Sequence, residues 1–344
     1  LGALGARRFV RDYTGADLLD GVIVLSQPAS PDPEPPLVIP WSTGPQSTAS
    51  QLAETTKRTV SEETGMPPGD EGPVDDLFRL ALPAAIGEQG PLIEGGLDAI
   101  RISSSGELPP AAADDDPANL DPDTLDRFGR ASLSLMLTLD AAPGELEHGP
   151  SAYIGVAGNL LPGWTLALLA LALLLPVAAT AAVGLSASAR SPAEAVRGLI
   201  WAGIRVLPFL AALVVTDALI LVGLLPSPDF PFDPATESLG VVGSLSVLAA
   251  AVALGAAAWF LRPLRPPAQS AAATARPAAL LVAALAGLGI WLDNPYLGLL
   301  VGLGLQTWVP AAARTEAGRR VPTAWILVAR VPALLAIADL AGRF

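Results

Sequence analysis

The chain has 344 residues, of which 51% are hydrophobic and only 15% charged, a balance too apolar and too charge-poor for an ordinary soluble domain. The charge is segregated: residues 1–158 carry 25 Asp or Glu against 9 Arg or Lys, whereas residues 159–344 carry 8 against 11. So acidic a first half excludes nucleic acid as a partner, because phosphate needs the opposite sign, and the absence of cysteine excludes disulfides and thiolate metal sites.

The opening LGALGARRF has no initiator methionine and no signal-peptide pattern, so the chain is expected to begin inside a longer protein. Its excess of Arg over Lys, with abundant Ala, Gly and Pro, fits a GC-rich bacterial genome. Gly5 to Tyr13 reads as a short amphipathic helix stopped by Gly15. GVIVLS, Gly21 to Ser26, is an apolar run of strand length, as buried parallel strands tend to be. A Pro-rich loop follows, then a second candidate strand from Leu37 to Trp41. Ser47 to Thr64 predicts a helix with Leu52, Thr56, Thr59 and Val60 on one face and Gly65 as its stop.

The stretch Gly87 to Glu107 holds a third candidate strand, Leu97 to Ile102, between glycine-rich and serine-rich loops. In an open α/β sheet the C-terminal ends of strands present the chemistry. Glu88, Gln89, Glu94 and Glu107 are therefore the candidate cleft residues; the alternative is that they are solvated loop side chains. Asp121 to Leu139 predicts a further helix, with Asp121 as N-cap, Pro122 at the first position and Leu125, Phe128, Leu133, Leu135 and Leu139 buried. Alternation of strand and helix implies an α/β/α sandwich with a mostly parallel sheet over residues 1–142. Residues 143–160 read as a linker, in which His148, the sole histidine, is expected to be solvated. Asp114, Asp115 and Asp116 lack the spacing of a calcium loop and read as an acidic turn.

From 161 to 344 the chain reads as an all-α membrane domain with about six apolar segments: Leu161 to Leu185, Leu199 to Leu225, Leu239 to Leu261, Pro277 to Leu292, Pro295 to Ala313 and Val321 to Ala341. About 20 residues span a bilayer core, so the fourth segment is short, and it forms a tight hairpin with the fifth at Asp293, Asn294 and Pro295. Loops after the first, third and fifth segments hold Arg190 and Arg197, then Arg262, Arg265 and Arg276, then Arg314, Arg319 and Arg320. Loops after the second and fourth hold Asp229, Asp233 and Glu237, then Asp293, with no Lys or Arg. By the positive-inside rule the first group is cytoplasmic and the acidic domain lies outside. Three ionisable residues fall within segments: Arg205, expected to snorkel, and Asp217 and Arg330, which lie roughly 18 and 14 Å from the cytoplasmic side at about 1.5 Å per residue and are expected to pair. Such a pair either fixes helix packing or lines a pocket for a lipid head group or a solute.

Five pieces of residues 1–140 carry a resemblance, in order. GALGARRF resembles the GLLGSRxF segment of the zinc aminopeptidase family of co-catalytic metallo-exopeptidases, and GVIVLS resembles its next core strand, INLD. GEQGPL falls where that family has SDHxPF, GLDAIRIS resembles GIPAVRLS, and LDPDTLDRFGRASLSLMLTLD is similar to the closing helix. The resemblance covers the second half of such a domain. It implies a peptidase fold and a pair of zinc ions, yet Ser26 stands where the family has a metal-binding aspartate and Gln89 where it has a metal-binding histidine. Neither is a usual zinc ligand. The expectation is a catalytically degenerate, membrane-anchored peptidase-like protein that keeps a peptide-shaped cleft for a peptide or protein ligand. The architecture is also similar to that of the peptidase-like subunit of the GPI transamidase. Two alternatives stay open: an active exopeptidase whose upstream half supplies the metal site, with Glu88 or a nearby carboxylate as replacement ligand, and a transporter or lipid-binding protein, for which no internal repeat is visible.

Overall fold

The computed structural model of the chain describes residues 3–69, 72–83, 85–107, 116–142, 148–156, 159–225, 240–262 and 268–309. These fall into two units, Leu1–Thr165 and Leu166–Phe344.

In the first unit three short runs rich in β-branched residues form a sheet: β1 (Val22–Ser26), β2 (Leu37–Ile39) and β3 (Ala99–Ser103), in the order β1-β3-β2. β1 pairs with β3 in parallel, Val24 opposite Arg101 and Ser26 opposite Ser103. β2 pairs with β3 antiparallel, so the expected mostly parallel sheet holds for one of its two pairings. The connection gives the reason. Segment 27–36 is Pro-rich and contains no helix, and a chain that turns back without a crossover can only return antiparallel. β3, reached through three helices, can come back parallel.

Those helices are α2 (Ser50–Thr64), α3 (Pro73–Ala81) and α4 (Gln89–Glu94); α1 (Leu4–Asp12) precedes the sheet and α5 (Pro122–Asp140) follows it. Strand alternation sends successive side chains to opposite faces. Val22, Val24 and Ala99 meet Ala6, Leu92 and Ile93 of α1 and α4. Ile23, Ile100 and Ile102 meet Leu52, Val60, Phe128 and Leu135 of α2 and α5. Helices therefore cover both faces. Leu52, Ile100 and Leu135 are wholly buried, each contributing about 1.5–3 kcal/mol of burial relative to exposure. α2 ends where expected, at Gly65, whose φ of 70° is a left-handed stop. α5 starts where expected, with Asp121 accepting hydrogen bonds from the Thr124 amide and hydroxyl.

β4 (Tyr153–Val156) and β5 (Asn159–Pro162) pair antiparallel, across the point at 160 where the expected linker was to give way to the first apolar segment. The pair is tied to α3 by the Gly155 amide donating to Asp76 at 3.0 Å.

The second unit is helical: α6 (Gly163–Ser188), α7 (Pro192–Leu221), α8 (Gly240–Phe260), α9 (Ala268–Asp293) and α10 (Pro295–Gln306). Among the described residues, α6, α7 and Thr274–Asp293 of α9 are long and apolar enough to cross a membrane, with mean hydropathies of 2.5, 2.1 and 1.7. Phe209, Leu213, Val214 and Val252 are more than half exposed, a surface that suits lipid and not water. The α9–α10 hairpin forms as expected: Asn294 caps α10 by accepting from the Tyr296 and Leu297 amides. The two helices approach so closely that a Cβ on Gly298 would lie 2.9 Å from Trp291 Cα. Across helices, Trp291 Nε1 donates to the Ala167 carbonyl and Gln306 Nε2 to the Leu173 carbonyl, both at 2.8 Å.

Candidate functional site

The site centres on Arg101, the middle residue of the middle strand. Its register partners Val24 and Ile39 face the same side as Ser26 two residues on, so alternation brings Ser26 and Arg101 together. Arg101 is 3% exposed. Its Nη2 donates to Ser26 Oγ at 2.8 Å and to the Glu107 carbonyl at 3.0 Å, and its Nη1 donates to the Ile86 carbonyl. Burial pushes the guanidinium below its ordinary value, while the carboxylates of Glu107 and Glu88 pull it back up. A guanidinium nevertheless stays charged inside proteins.

A second buried cation lies alongside. Arg79 of α3 pairs with Glu107 through Nη1 to Oε2 at 2.9 Å, and the two side chains are 7% and 13% exposed. The other Glu107 oxygen accepts from Trp41 Nε1 at 3.3 Å and from the Ile86 amide at 3.4 Å. Arg79 also stacks on Trp41, 3.8 Å from the ring centroid. Glu107 thus closes the loop after β3 over both arginines.

The candidate cleft residues do not share one surface. Glu88 is exposed beside Arg101, Gln89 is wholly buried, Glu107 is spent on the arginines, and Glu94 is exposed and accepts from the Thr43 hydroxyl. Neither polar atom of the Gln89 carboxamide has a hydrogen-bond partner. It meets Arg101 at Gly87, where φ is +135° and a Cβ would stand 2.5 Å from Gln89 Oε1 and 2.7 Å from Arg101 Nη1; only glycine fits that close approach. Gln27, immediately after β1, has a φ of 52°, a conformation uncommon for a residue with a side chain. Its carbonyl accepts from the Ser104 hydroxyl.

These groups do not suit a zinc ion. Zinc sites use thiolate, imidazole or carboxylate, whereas Ser26 offers a hydroxyl that accepts from a guanidinium and Gln89 a carboxamide. A dication on Ser26 Oγ would stand about 4 Å from that guanidinium, a repulsion on the order of 8 kcal/mol at an effective dielectric of about 20.

Sequence reasoning missed Asp98. This carboxylate, 7% exposed, accepts from the Ala49 amide at 2.7 Å and the Thr48 hydroxyl at 3.2 Å, so it satisfies the start of α2 from the loop before β3. His148 Nδ1 lies 2.9 Å from its other oxygen, although the imidazole itself is 74% exposed. His148 is therefore solvated, as expected, but also paired. No local signal could have revealed a partner fifty residues away. In the second unit Asp217 is exposed on α7, and Arg205 lies over the Trp201 ring, 3.9 Å from its centroid. Arg330, Asp114, Asp115, the sixth apolar segment and the loop with Asp229, Asp233 and Glu237 lie outside the described residues.

No protein-family model and no curated protein matches this chain.

Proposed function

We propose that the chain is a multi-pass membrane protein, with about six crossings, whose acidic first unit faces the extracytoplasmic side and captures a peptide or protein partner without metal catalysis. The observation that carries this reading is the Arg101 guanidinium bonded to Ser26. Where the resemblance to zinc aminopeptidases calls for metal-binding side chains, this chain holds a fixed positive charge of its own. The membrane assignment is supported by the three long apolar helices, and the orientation by arginines in the loops after the first, third and fifth apolar segments.

The test is metal content and aminopeptidase activity of the purified chain in detergent, with and without added zinc. The expected result is no stoichiometric zinc and no turnover; tightly bound zinc with chelator-sensitive peptide release would overturn the reading. Orientation is checked with single cysteines, which the cysteine-free sequence makes straightforward. A cysteine at Ser61 should react with an impermeant maleimide in intact cells, and one at Ser188 should not.

A further inference from the structure

α7 carries a cation inside its apolar stretch. Arg205 follows Leu199, the start of the second apolar segment, by about 9 Å at about 1.5 Å per residue. Its guanidinium lies over the Trp201 ring, 3.9 Å from the centroid. Trp201 is one turn nearer the start of the helix, so the charge is drawn back toward the loop by about 6 Å. Helical side chains lean toward the N-terminus, which makes this the natural direction for Arg205. The ring is a fixed platform, because Trp201 packs against Leu185, Ala202 and Ala278. Stacking uses only the face of a guanidinium, whose N–H donors lie in its plane. Among the described residues Arg205 has no hydrogen-bond or ion-pair partner. Donors on a charge at the edge of an apolar region are costly without acceptors.

Arg197, Trp201, Arg205, Phe209 and Leu213 follow at intervals of four residues, so they run along one face of α7. Phe209 and Leu213, on the membrane side of Arg205, are apolar and exposed. Arg197, toward the loop, is exposed as well. The charge around this face is one-sided. Between 190 and 205 the chain has Arg190, Arg197 and Arg205 against Glu194 alone, whose Oε2 accepts from the Arg190 amide at 2.7 Å. Arg276 is exposed on α9, two residues past Thr274, which lies against α7: a Cβ on Gly198 would stand 2.8 Å from Thr274 Oγ1. A second stack, Arg262 over Trp259 at 5.0 Å, stands at the end of α8. All these groups fall at the helix ends that the loop arginines mark as cytoplasmic. Basic clusters at such a boundary attract anionic head groups, and the planar arginine fork matches phosphate oxygens. A zwitterionic head group brings its own cation to the arginines; an anionic one does not.

We infer that Arg197, Trp201 and Arg205 form a site for the phosphate of an anionic glycerophospholipid in the cytoplasmic leaflet. Arg205, held on Trp201, donates to the phosphate oxygens from the membrane side and Arg197 from the loop side, while an acyl chain runs along Phe209 and Leu213. This rests on the membrane reading and the orientation proposed above.

The experiment uses the whole chain, labelled with 5-fluorotryptophan, in nanodiscs of dioleoylphosphatidylcholine, with the Trp201 ¹⁹F resonance assigned by Trp201→Phe. Added dioleoylphosphatidylglycerol is expected to shift that resonance saturably, and dioleoylphosphatidylethanolamine is not. Arg205→Gln should raise the phosphatidylglycerol fraction needed for half the shift about tenfold, as for a lost hydrogen bond between charged groups, and Arg197→Gln a few-fold. Arg58→Gln, the same change of charge on exposed Arg58 of α2, should leave it unchanged, and in each variant the other tryptophan resonances should stay in place. A shift that grows in proportion to phosphatidylglycerol without saturating, or that ignores both Arg205→Gln and Arg197→Gln, would overturn the site. An equal shift with inorganic phosphate in pure phosphatidylcholine discs would overturn the lipid as its source. A chain that enters the discs and shows no head-group preference would overturn the site alone, whereas one that does not enter them would sink the membrane reading. Reversed labelling of the Ser61 and Ser188 cysteines, with the phosphatidylglycerol shift intact, would overturn the leaflet together with the proposed orientation.

Discussion

Replacing Glu107 with leucine tests whether buried Arg79 is held by the Glu107 carboxylate. Glu107 accepts from Arg79, Trp41 and the Ile86 amide, and its own carbonyl accepts from Arg101. Removing the carboxylate leaves Arg79 buried beside an apolar group, with Arg101 close by. Breaking a buried pair from one side costs about 3–5 kcal/mol, and with both side chains under 15% exposed solvent offers little relief. We expect a loss of about 3 kcal/mol. The readout is hydrogen exchange of the β3 amides in the full chain in detergent, since those central amides open only when the sheet does. The double replacement Glu107→Leu with Arg79→Met should recover most of the loss, because both charges are then gone together. A single-variant loss below about 1 kcal/mol, or a double variant no better than the single, would refute the network.

Other outcomes follow from single contacts. Asp98→Ala should cost about 1–3 kcal/mol by leaving the Ala49 amide and Thr48 hydroxyl unmatched, whereas His148→Ala should cost under about 1 kcal/mol because that imidazole is exposed; exchange of the first α2 amides distinguishes them. Gln89→Met should be neutral or stabilising by about 1 kcal/mol, since it removes buried polar atoms without partners, and a large loss in thermal unfolding would reveal a partner. The Thr124 hydroxyl and amide hold the Asp121 carboxyl below its ordinary range. A depressed folded value means that the cap stabilises above the unfolded pKa of about 3.9 and fades as pH falls through the folded one. Protection of the Leu125 amide should therefore drop below about pH 4 in the native chain and be low at every pH in Asp121→Ala. Gly298→Ile should disrupt the α9–α10 hairpin, because even a Cβ there lies 2.9 Å from Trp291 Cα; an unchanged melting temperature in detergent would refute that.

Where a local rule governs, the sequence was readable. α1, β1 and α2 carry their own periodicity, Gly65 and Asp121 their own stop and start, and Asn294 its own turn; on α5 Phe128 and Leu135 are buried as expected, whereas Leu125 and Leu133 are 46% and 58% exposed. α3 and α4 escaped because each is a few turns at most, and α4 opens with QGP, three residues that say loop when read alone. β4 and β5 escaped because Gly155 and Pro162 hide their alternation. At the site, Ser26 and Gln89 were legible as substitutions only through the resemblance, and nothing local shows that Arg101 reaches Ser26 across 75 residues. Glu107 looked like a cleft carboxylate; that it instead neutralises Arg79 depends on α3, which the sequence did not announce.

The placement of Arg101 also decides which alignments of β3 are permitted. A strand's faces exchange when it slips by one residue, and β3 has apolar Ile100 and Ile102 on either side of its single charge. In the native alignment the guanidinium meets Ser26, Ile86 and Glu107. Slipped by one, it would enter the cluster of Val38, Leu52 and Ala53, whose side chains are apolar but for the Tyr153 hydroxyl, and the cost of burying a charge there is several kcal/mol. One arginine thus makes a short, otherwise ambiguous apolar strand choose a single pairing during folding, and its replacement by leucine should yield a sheet that is no less apolar but less uniquely aligned.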